Sequence, residues 1–261
     1  MKYGFIGCGN MGGAIARAVS QVTKDIAITD RSGSARNLAR DLGILYTDAQ
    51  TIAAQSQRIF LAVKPQMMAQ ALKPLQGILQ QRKPLLITMA AGLTMERIQS
   101  LVGCDLPIIR IMPNTPVRVG AGMTQYCCNA LVSPEEEESF LADMARTGHL
   151  DKLDEHLIDA ASALSGCGPA YMYLFLEALA DGAVACGIPR AKAMEYAAAT
   201  MEGAAKLALE TKRHPGALKD AVCSPGGSTI AGVRVLEEHG FRGAAMDCVI
   251  AAYEKNKKLG E

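Results

Sequence analysis

The chain has no excess of charge of either sign. Its 27 lysines and arginines almost balance 26 aspartates and glutamates, for a formal net charge of +1. Neither nucleic acid nor an anionic membrane surface is then its main partner. No stretch reaches the about 18 uninterrupted apolar residues of a membrane span. Paired CxxC spacing is missing, so the eight cysteines make neither a disulfide scaffold nor a zinc site. They sit mostly inside apolar runs (Cys8, Cys127, Cys128, Cys167, Cys186, Cys223, Cys248) and read as buried free thiols in a reducing compartment. The opening Met1-Lys2-Tyr3 resembles a signal peptide only briefly. Glycines, Asn10 and Arg17 interrupt it before an apolar stretch or cleavage site forms, so a cytoplasmic protein is expected. No metal site is expected. His149, His156, His214 and His239 have no carboxylate or serine spaced for a triad, and they read as structural or exposed.

What is present is an apolar half of the chain, enough to bury one large core or two modest ones. The first half alternates short apolar runs with helical stretches. Strands are predicted at Lys2–Ile6, Ile26–Thr29, Ile44–Tyr46, Arg58–Val63, Leu85–Thr88 and Ile108–Ile111. Helices are predicted between them at Met11–Val22, Ala35–Leu42, Ala49–Gln55, Gln66–Leu79 and Met95–Val102. Strands that are apolar on both faces require a parallel sheet covered on both sides. The βαβ alternation gives right-handed crossovers and a doubly wound sheet. Two more strands, Gly122–Cys128 and His149–Leu153, flank a helix opened by Ser133-Pro134-Glu135-Glu136, a strong start signal. The acidic run there is a solvated helix start, and Lys255, Lys257 and Lys258 a solvated helix end.

From about residue 155 the pattern is helical only: 154–165, 169–186, 189–211, 215–222, 229–238 and 242–258. The fold class expected is therefore an α/β Rossmann domain over residues 1–153, followed by an all-α domain over 154–261. The third of these helices is rich in alanine (Ala197–Ala199, Ala204, Ala205), which permits close packing, either across a subunit interface or inside one bundle.

Gly7-Cys8-Gly9-Asn10-Met11-Gly12 matches GxGxxG in its dinucleotide-binding context: a strand before it, a helix after it, and Asp30 further on. Gly7 permits the tight turn, Gly9 lets backbone approach a pyrophosphate, and Gly12 lets helix and strand pack closely. The pyrophosphate sits at the positive end of the helix opening at Met11. The chain is thus read as an NAD(P)H-dependent oxidoreductase. Asp30 suits the ribose hydroxyls of NAD, whereas Arg31 can pair with the 2′-phosphate of NADP and Ser32 can add a hydroxyl donor. NADPH is favoured, with NADH also usable. Ala62-Val63-Lys64-Pro65 and Met112-Pro113-Asn114 end two strands at the carboxyl edge of the sheet, where ligands bind. Lys64 reads either as a ribose or phosphate contact or as a surface lysine. Asn114 reads either as a turn residue or as a carboxamide contact.

In Ser224-Pro225-Gly226-Gly227-Ser228-Thr229, a compact turn leads into a helix start, a geometry that suits a small carboxylate or merely a capped loop. The segment SPGGSTIAG, with HPGALKD before it and LEEHGFR after it, closely resembles the pyrroline-5-carboxylate reductases. AVKP, MPNTP and SGCGPAYMYLFLEALADGAVACGIPR match that family in order, so the resemblance spans nearly the whole chain. It implies a Rossmann domain and a helical dimerisation domain. It also implies a homodimer interleaved through the C-terminal helices, often assembled into a decamer, with an active site between the cofactor domain of one subunit and the helical domain of its neighbour. The reaction implied is reduction of 1-pyrroline-5-carboxylate to L-proline, the last step of proline synthesis. Hydride adds to an already electrophilic protonated imine, so positioning carries most of the catalysis. The resemblance further implies that Thr229 is the catalytic residue, bonding the ring nitrogen. Ser224, Gly226, Gly227, Ser228 and Thr229 form the substrate loop, with backbone amides at Gly227–Thr229 holding the carboxylate. Ser228 stands where the family often has Ala or Thr. An asparagine that some members place near the adenosine ribose has no match around Ala49. β-Hydroxyacid dehydrogenases share the two-domain plan but need a lysine on the first long C-terminal helix, and none occurs between Lys152 and Lys192. A non-catalytic NADPH-binding regulator would keep the glycines without needing the SPGGST loop.

Overall fold

The structure is a computed structural model that describes residues 1–31 and 33–258. Two compact units emerge, Met1–Cys167 with the chain from Ala252 onward, and Gly168–Ala251.

The first unit is built on an eight-stranded sheet: β1 (Tyr3–Ile6), β2 (Ile26–Thr29), β3 (Leu45–Tyr46), β4 (Arg58–Leu61), β5 (Leu85–Thr88), β6 (Ile108–Pro113), β7 (Gly122–Cys128) and β8 (Gly148–Lys152). The order is β3-β2-β1-β4-β5-β6-β7-β8. β1 through β6 are parallel, β7 is antiparallel to β6, and β8 is parallel to β7. The chain order reverses between β1 and β4, and that switch point opens a crevice at the carboxyl ends of the strands. The crossovers are α1 (Asn10–Val19), α2 (Ser34–Leu42), α3 (Ala49–Gln55), α4 (Met68–Leu72), α5 (Gln76–Arg82), α6 (Met95–Val102), α7 (Pro134–Met144) and α8 (Ile158–Ser165).

Both sheet faces are covered, as the uniformly apolar strands require. On one face Phe5, Phe60, Ile87 and Ile111 pack with Ile15, Val19 and Phe140, and Phe5 stacks on Phe60 at 4.3 Å. On the other, Ile6, Ile59, Leu61 and Leu86 meet Ile52, Leu72, Leu79 and Ile98. Two buried charge groups fasten the edges of this core. Asp143 accepts from Tyr3 Oη at 2.6 Å and pairs with Lys2 and Arg58. Arg110, almost fully buried on β6, pairs with Asp159 at 2.7 Å and with Glu155.

The second unit contains α9 (Gly168–Ala185), α10 (Arg190–Thr211), α11 (Pro215–Ala221), α12 (Ser228–Glu238) and most of α13 (Phe241–Lys257). α9 and α10 meet through Ala180, Ala193 and Ala197, flanked by Leu176, Val184 and Ile188. Among the described residues no helix is long and apolar enough to cross a membrane.

Several predicted spans differ in detail. The single helix predicted over Gln66–Leu79 is broken, with 3-10 turns at Pro65–Met67 and Lys73–Leu75 around α4. Pro74 lies inside the second turn, where its missing N–H and its ring forbid a continuous α-helix. α1 stops at Val19, where the Ser20 hydroxyl donates to the Arg17 carbonyl. β4 ends at Leu61 and leaves Ala62 and Val63 in the turn. The helix predicted over 154–165 begins with a 3-10 turn at Glu155–Leu157.

Candidate active site

β1 runs into Gly7, whose N–H donates to the Thr29 carbonyl at 2.9 Å. Gly7 has φ +99°, and a Cβ there would lie 2.7 Å from the Ala62 backbone. At Gly12 a Cβ would come within 2.5 Å of the Gly7 carbonyl and 2.8 Å of Ala62 Cβ. Gly9 differs, since a Cβ there would meet nothing within 4 Å. Gly7 and Gly12 therefore serve the close crossing of α1 over the β1 and β4 turns. Gly9 leaves open the space in front of α1, whose start carries no side-chain cap. An uncapped helix start directs unsatisfied N–H groups and the positive dipole end into that space.

Asp30, at the end of β2, accepts from Cys8 N–H at 2.6 Å. The acid thus anchors the glycine loop as well as facing the crevice. Burial, reinforced by the Asp30 charge, pushes the Cys8 thiol up to about 12, which leaves it inert at neutral pH.

The crevice is a groove of about 710 Å³ whose walls include Gly7, Gly9, Asp30, Arg31, Ala62, Val63 and Lys64. These predicted residues converge. Gln66, Met67 and Gln70 also line it, as does Ala49. They carried no motif, and only their place just beyond the carboxyl edge of β4, or at the start of α3, could have marked them. Asn10, Met11, Gly12 and Pro65 do not line the groove: Gly12 is buried behind the loop, and Asn10 is exposed on the first turn of α1. Met112 and Pro113 are buried, Met112 in the core. The Asn114 carboxamide donates to the Ser165 carbonyl at 3.0 Å and accepts from Met123 N–H at 2.9 Å, binding the exit of β6 to β7 and to the end of α8. Ser32 lies outside the described residues. The volume, the left-handed Gly7, the open floor at Gly9 and the uncapped α1 start fit a dinucleotide.

In the second unit, Ser224–Gly227 is a tight turn closed by Gly227 N–H donating to the Ser224 carbonyl at 3.0 Å. Pro225 holds its second position and Gly226, with φ +68°, its third. This is the pairing a type II turn demands. A Cβ on Gly227 would lie 2.4 Å from Ser224 Oγ, so the serine folds over the glycine. Gly227 then N-caps α12 without a side-chain hydrogen bond. Among the described residues the N–H groups of Ser228, Thr229 and Ile230 have no acceptor. Ser224, Gly226, Ser228 and Thr229 are exposed. Of the histidines, His214 caps α11 by accepting from Gly216 N–H at 3.0 Å.

Residues 155–259 match the family model for pyrroline-5-carboxylate reductase dimerisation, and residues 2–92 match that for NADP oxidoreductase, coenzyme F420-dependent. The chain is 43% identical to the pyrroline-5-carboxylate reductase of Escherichia coli K12, over 100% of this chain and 98% of that protein. It is 42% identical to that of Synechocystis, over 100% and 99%. The crystal structure of Plasmodium falciparum pyrroline carboxylate reductase with NADP bound superposes with a TM-score of 0.90 at 31% identity, covering 100% of this chain and 98% of that one. With such agreement along both units, the chain belongs to the pyrroline-5-carboxylate reductase family.

Proposed function

We propose that this protein reduces 1-pyrroline-5-carboxylate to L-proline with NADPH, NADH serving as a poorer donor. The observation that carries the reading is the uncapped start of α12 behind the Ser224–Gly227 turn. Three adjacent N–H groups without acceptors, at the positive end of an eleven-residue helix, suit a small carboxylate. Thr229 is the catalytic residue and bonds the ring nitrogen. Ser224, Gly226, Gly227 and Ser228 shape the loop that holds the acid. When bound, the nicotinamide supplies a hydride, which goes to the carbon of the protonated C=N bond and leaves a secondary amine. The chain's own part is to hold the donor along Gly7, Gly9 and the 62–64 turn, with the backbone of Asn10 and Met11 at the α1 start facing the diphosphate and Gly12 packing behind the loop, and to fix the acceptor, so that positioning lowers the barrier.

The NADPH preference rests on Asp30 and Arg31. One Asp30 oxygen is committed to the Cys8 N–H, while the exposed Arg31 guanidinium has no ion-pair partner among the described residues. That arginine would pair with a 2′-phosphate, to which the Ser32 hydroxyl would add a donor. Residues 1–153 act as the cofactor domain. Residues 154–261 act as the substrate and dimerisation domain, with decamers built from dimers. The eight free thiols suit the reducing cytoplasm.

Oxidation of NADPH and NADH should be followed in parallel with pyrroline-5-carboxylate as acceptor. Proline-forming turnover with the larger kcat/KM for NADPH is expected. Thr229→Ala should lower kcat/KM by about tenfold or more, the size of losing a hydrogen bond to a charged group, with NADPH affinity unchanged. Unaltered turnover in that variant removes Thr229 from its role, and inert wild-type protein removes the reaction.

A further inference from the structure

A second cleft, of about 490 Å³, opens on the first unit and shares no lining residue with the dinucleotide groove. Arg17 and Gln21 reach it from α1 and the turn beyond. Arg118 reaches it from the 3-10 turn after β6, and Arg146 from the 3-10 turn after α7. No carboxylate lines it. Elsewhere Arg58, Arg110, Arg190, Arg234 and Arg242 each lie against an acid. Arg17, Arg118 and Arg146 have no ion-pair partner among the described residues. Three uncompensated guanidinium groups around one concavity repel one another, and a multiply charged anion relieves that repulsion.

The floor is made for entry. Ala14 and Ala18 present only methyl groups from α1, so the backbone of α1 is approachable between the arginines. The volume lies within the range of small-molecule sites. We infer that this cleft is an anion site for a small phosphate-bearing ligand carrying at least two negative charges. Guanidinium forks recognise phosphoryl oxygens in pairs. Two phosphoryl groups bring about three to four negative charges, which balance three arginines where a single carboxylate would leave two unmet. Gln21 supplies a neutral donor and acceptor for the rest of the ligand. The site is independent of the catalytic reading, since it shares no residue with either functional loop.

The test is calorimetric titration of inorganic pyrophosphate into the full-length protein holding saturating NADPH, which fills the diphosphate cradle at α1. Saturable binding that weakens with added salt is expected. The double variant Arg17→Ala/Arg118→Ala, and separately Arg146→Ala, should weaken it by about tenfold or more. Arg97→Ala, an exposed arginine on α6 outside both cavities, should leave it unchanged. The three cleft arginines are exposed, so these variants should melt like wild type. Arg118→Lys provides a check that keeps the charge and removes the fork, and it should bind with intermediate strength. Citrate in place of pyrophosphate should bind more weakly. No saturable binding, equal binding of citrate, or loss of binding through Arg97→Ala alone would overturn the assignment.

Discussion

Gly7, Gly9 and Gly12 are one motif in the sequence but do two different jobs in the fold. At Gly12 an added methyl group would press on the Gly7 carbonyl and the Ala62 side chain, both fixed by the crossing of α1 over the sheet. Overpacking of this kind costs about 1–3 kcal/mol. Gly12→Ala should therefore lower the denaturant midpoint and weaken NADPH binding together. At Gly9 the added methyl meets only open space. Gly9→Ala should keep the wild-type midpoint while NADPH affinity falls by about tenfold or more, because the methyl stands where diphosphate oxygens meet backbone N–H groups. Equal destabilisation by the two substitutions, measured by urea unfolding of the unliganded protein, would show that Gly9 also serves the fold. The motif's spacing made the glycines legible. It could not reveal that Asp30 takes the Cys8 N–H, because that bond depends on the twist bringing the end of β2 over the β1 turn. Asn114 was legible as either a turn residue or a ligand, and its two backbone bonds explain its burial.

Among the elements, the strands were the most legible, since residues buried on both faces leave unbroken apolar runs such as Leu85–Ile87. The helix at Pro134 was legible from its first turn, where Ser133 and Glu136 form a reciprocal capping box. The 65–82 segment was less so, because its apolar periodicity continues through Pro74 while its hydrogen bonding cannot. The direction of β7 was not legible at all, since side-chain alternation is the same for parallel and antiparallel pairing. That edge of the sheet carries a pH-dependent clasp. Glu137 on α7 accepts from Lys152 Nζ on β8 at 2.8 Å and from Tyr126 Oη on β7 at 2.9 Å. The Lys152 hydrogen bond, with help from Tyr126, holds the Glu137 carboxyl below its ordinary value of 4.5. A carboxyl depressed in the folded state stabilises the fold at pH above its unfolded pKa, and loses that contribution as pH falls through the lower folded value. Lys152 is exposed, so the contribution at pH 7 is under about 1 kcal/mol. Urea unfolding should find Glu137→Gln less stable than wild type by about that amount at pH 7, with the gap closing below the ordinary carboxylate range. A gap that stays constant down to acid pH would assign the loss to packing instead.

For the molecule as a whole, the two units differ in how their apolar surface is spent. The first closes its core on both sheet faces. The second buries only Ala180, Ala193 and Ala197 together, while Leu174 is 71% exposed and Leu209 65% exposed. Tyr173, Met194 and Met246 are exposed as well. An apolar display of this extent marks a surface made for another protein surface, and residues 155–259 match the dimerisation family model, which supports a homo-oligomer. The alanine-rich helix reads in the sequence equally as an interface or as the inside of one bundle. A homodimer that covered these helices would make unfolding depend on mass action. The apparent Tm should rise with protein concentration, and light scattering after size exclusion should give a dimer or a multiple of it. Leu174→Glu/Leu209→Glu puts charges into that apolar surface. The variant should scatter as a monomer, melt at a lower and concentration-independent temperature, and lose proline-forming turnover while the first unit still binds NADPH. A wild-type protein that scatters as a monomer, with a Tm indifferent to concentration, would mean that these helices stand without a partner.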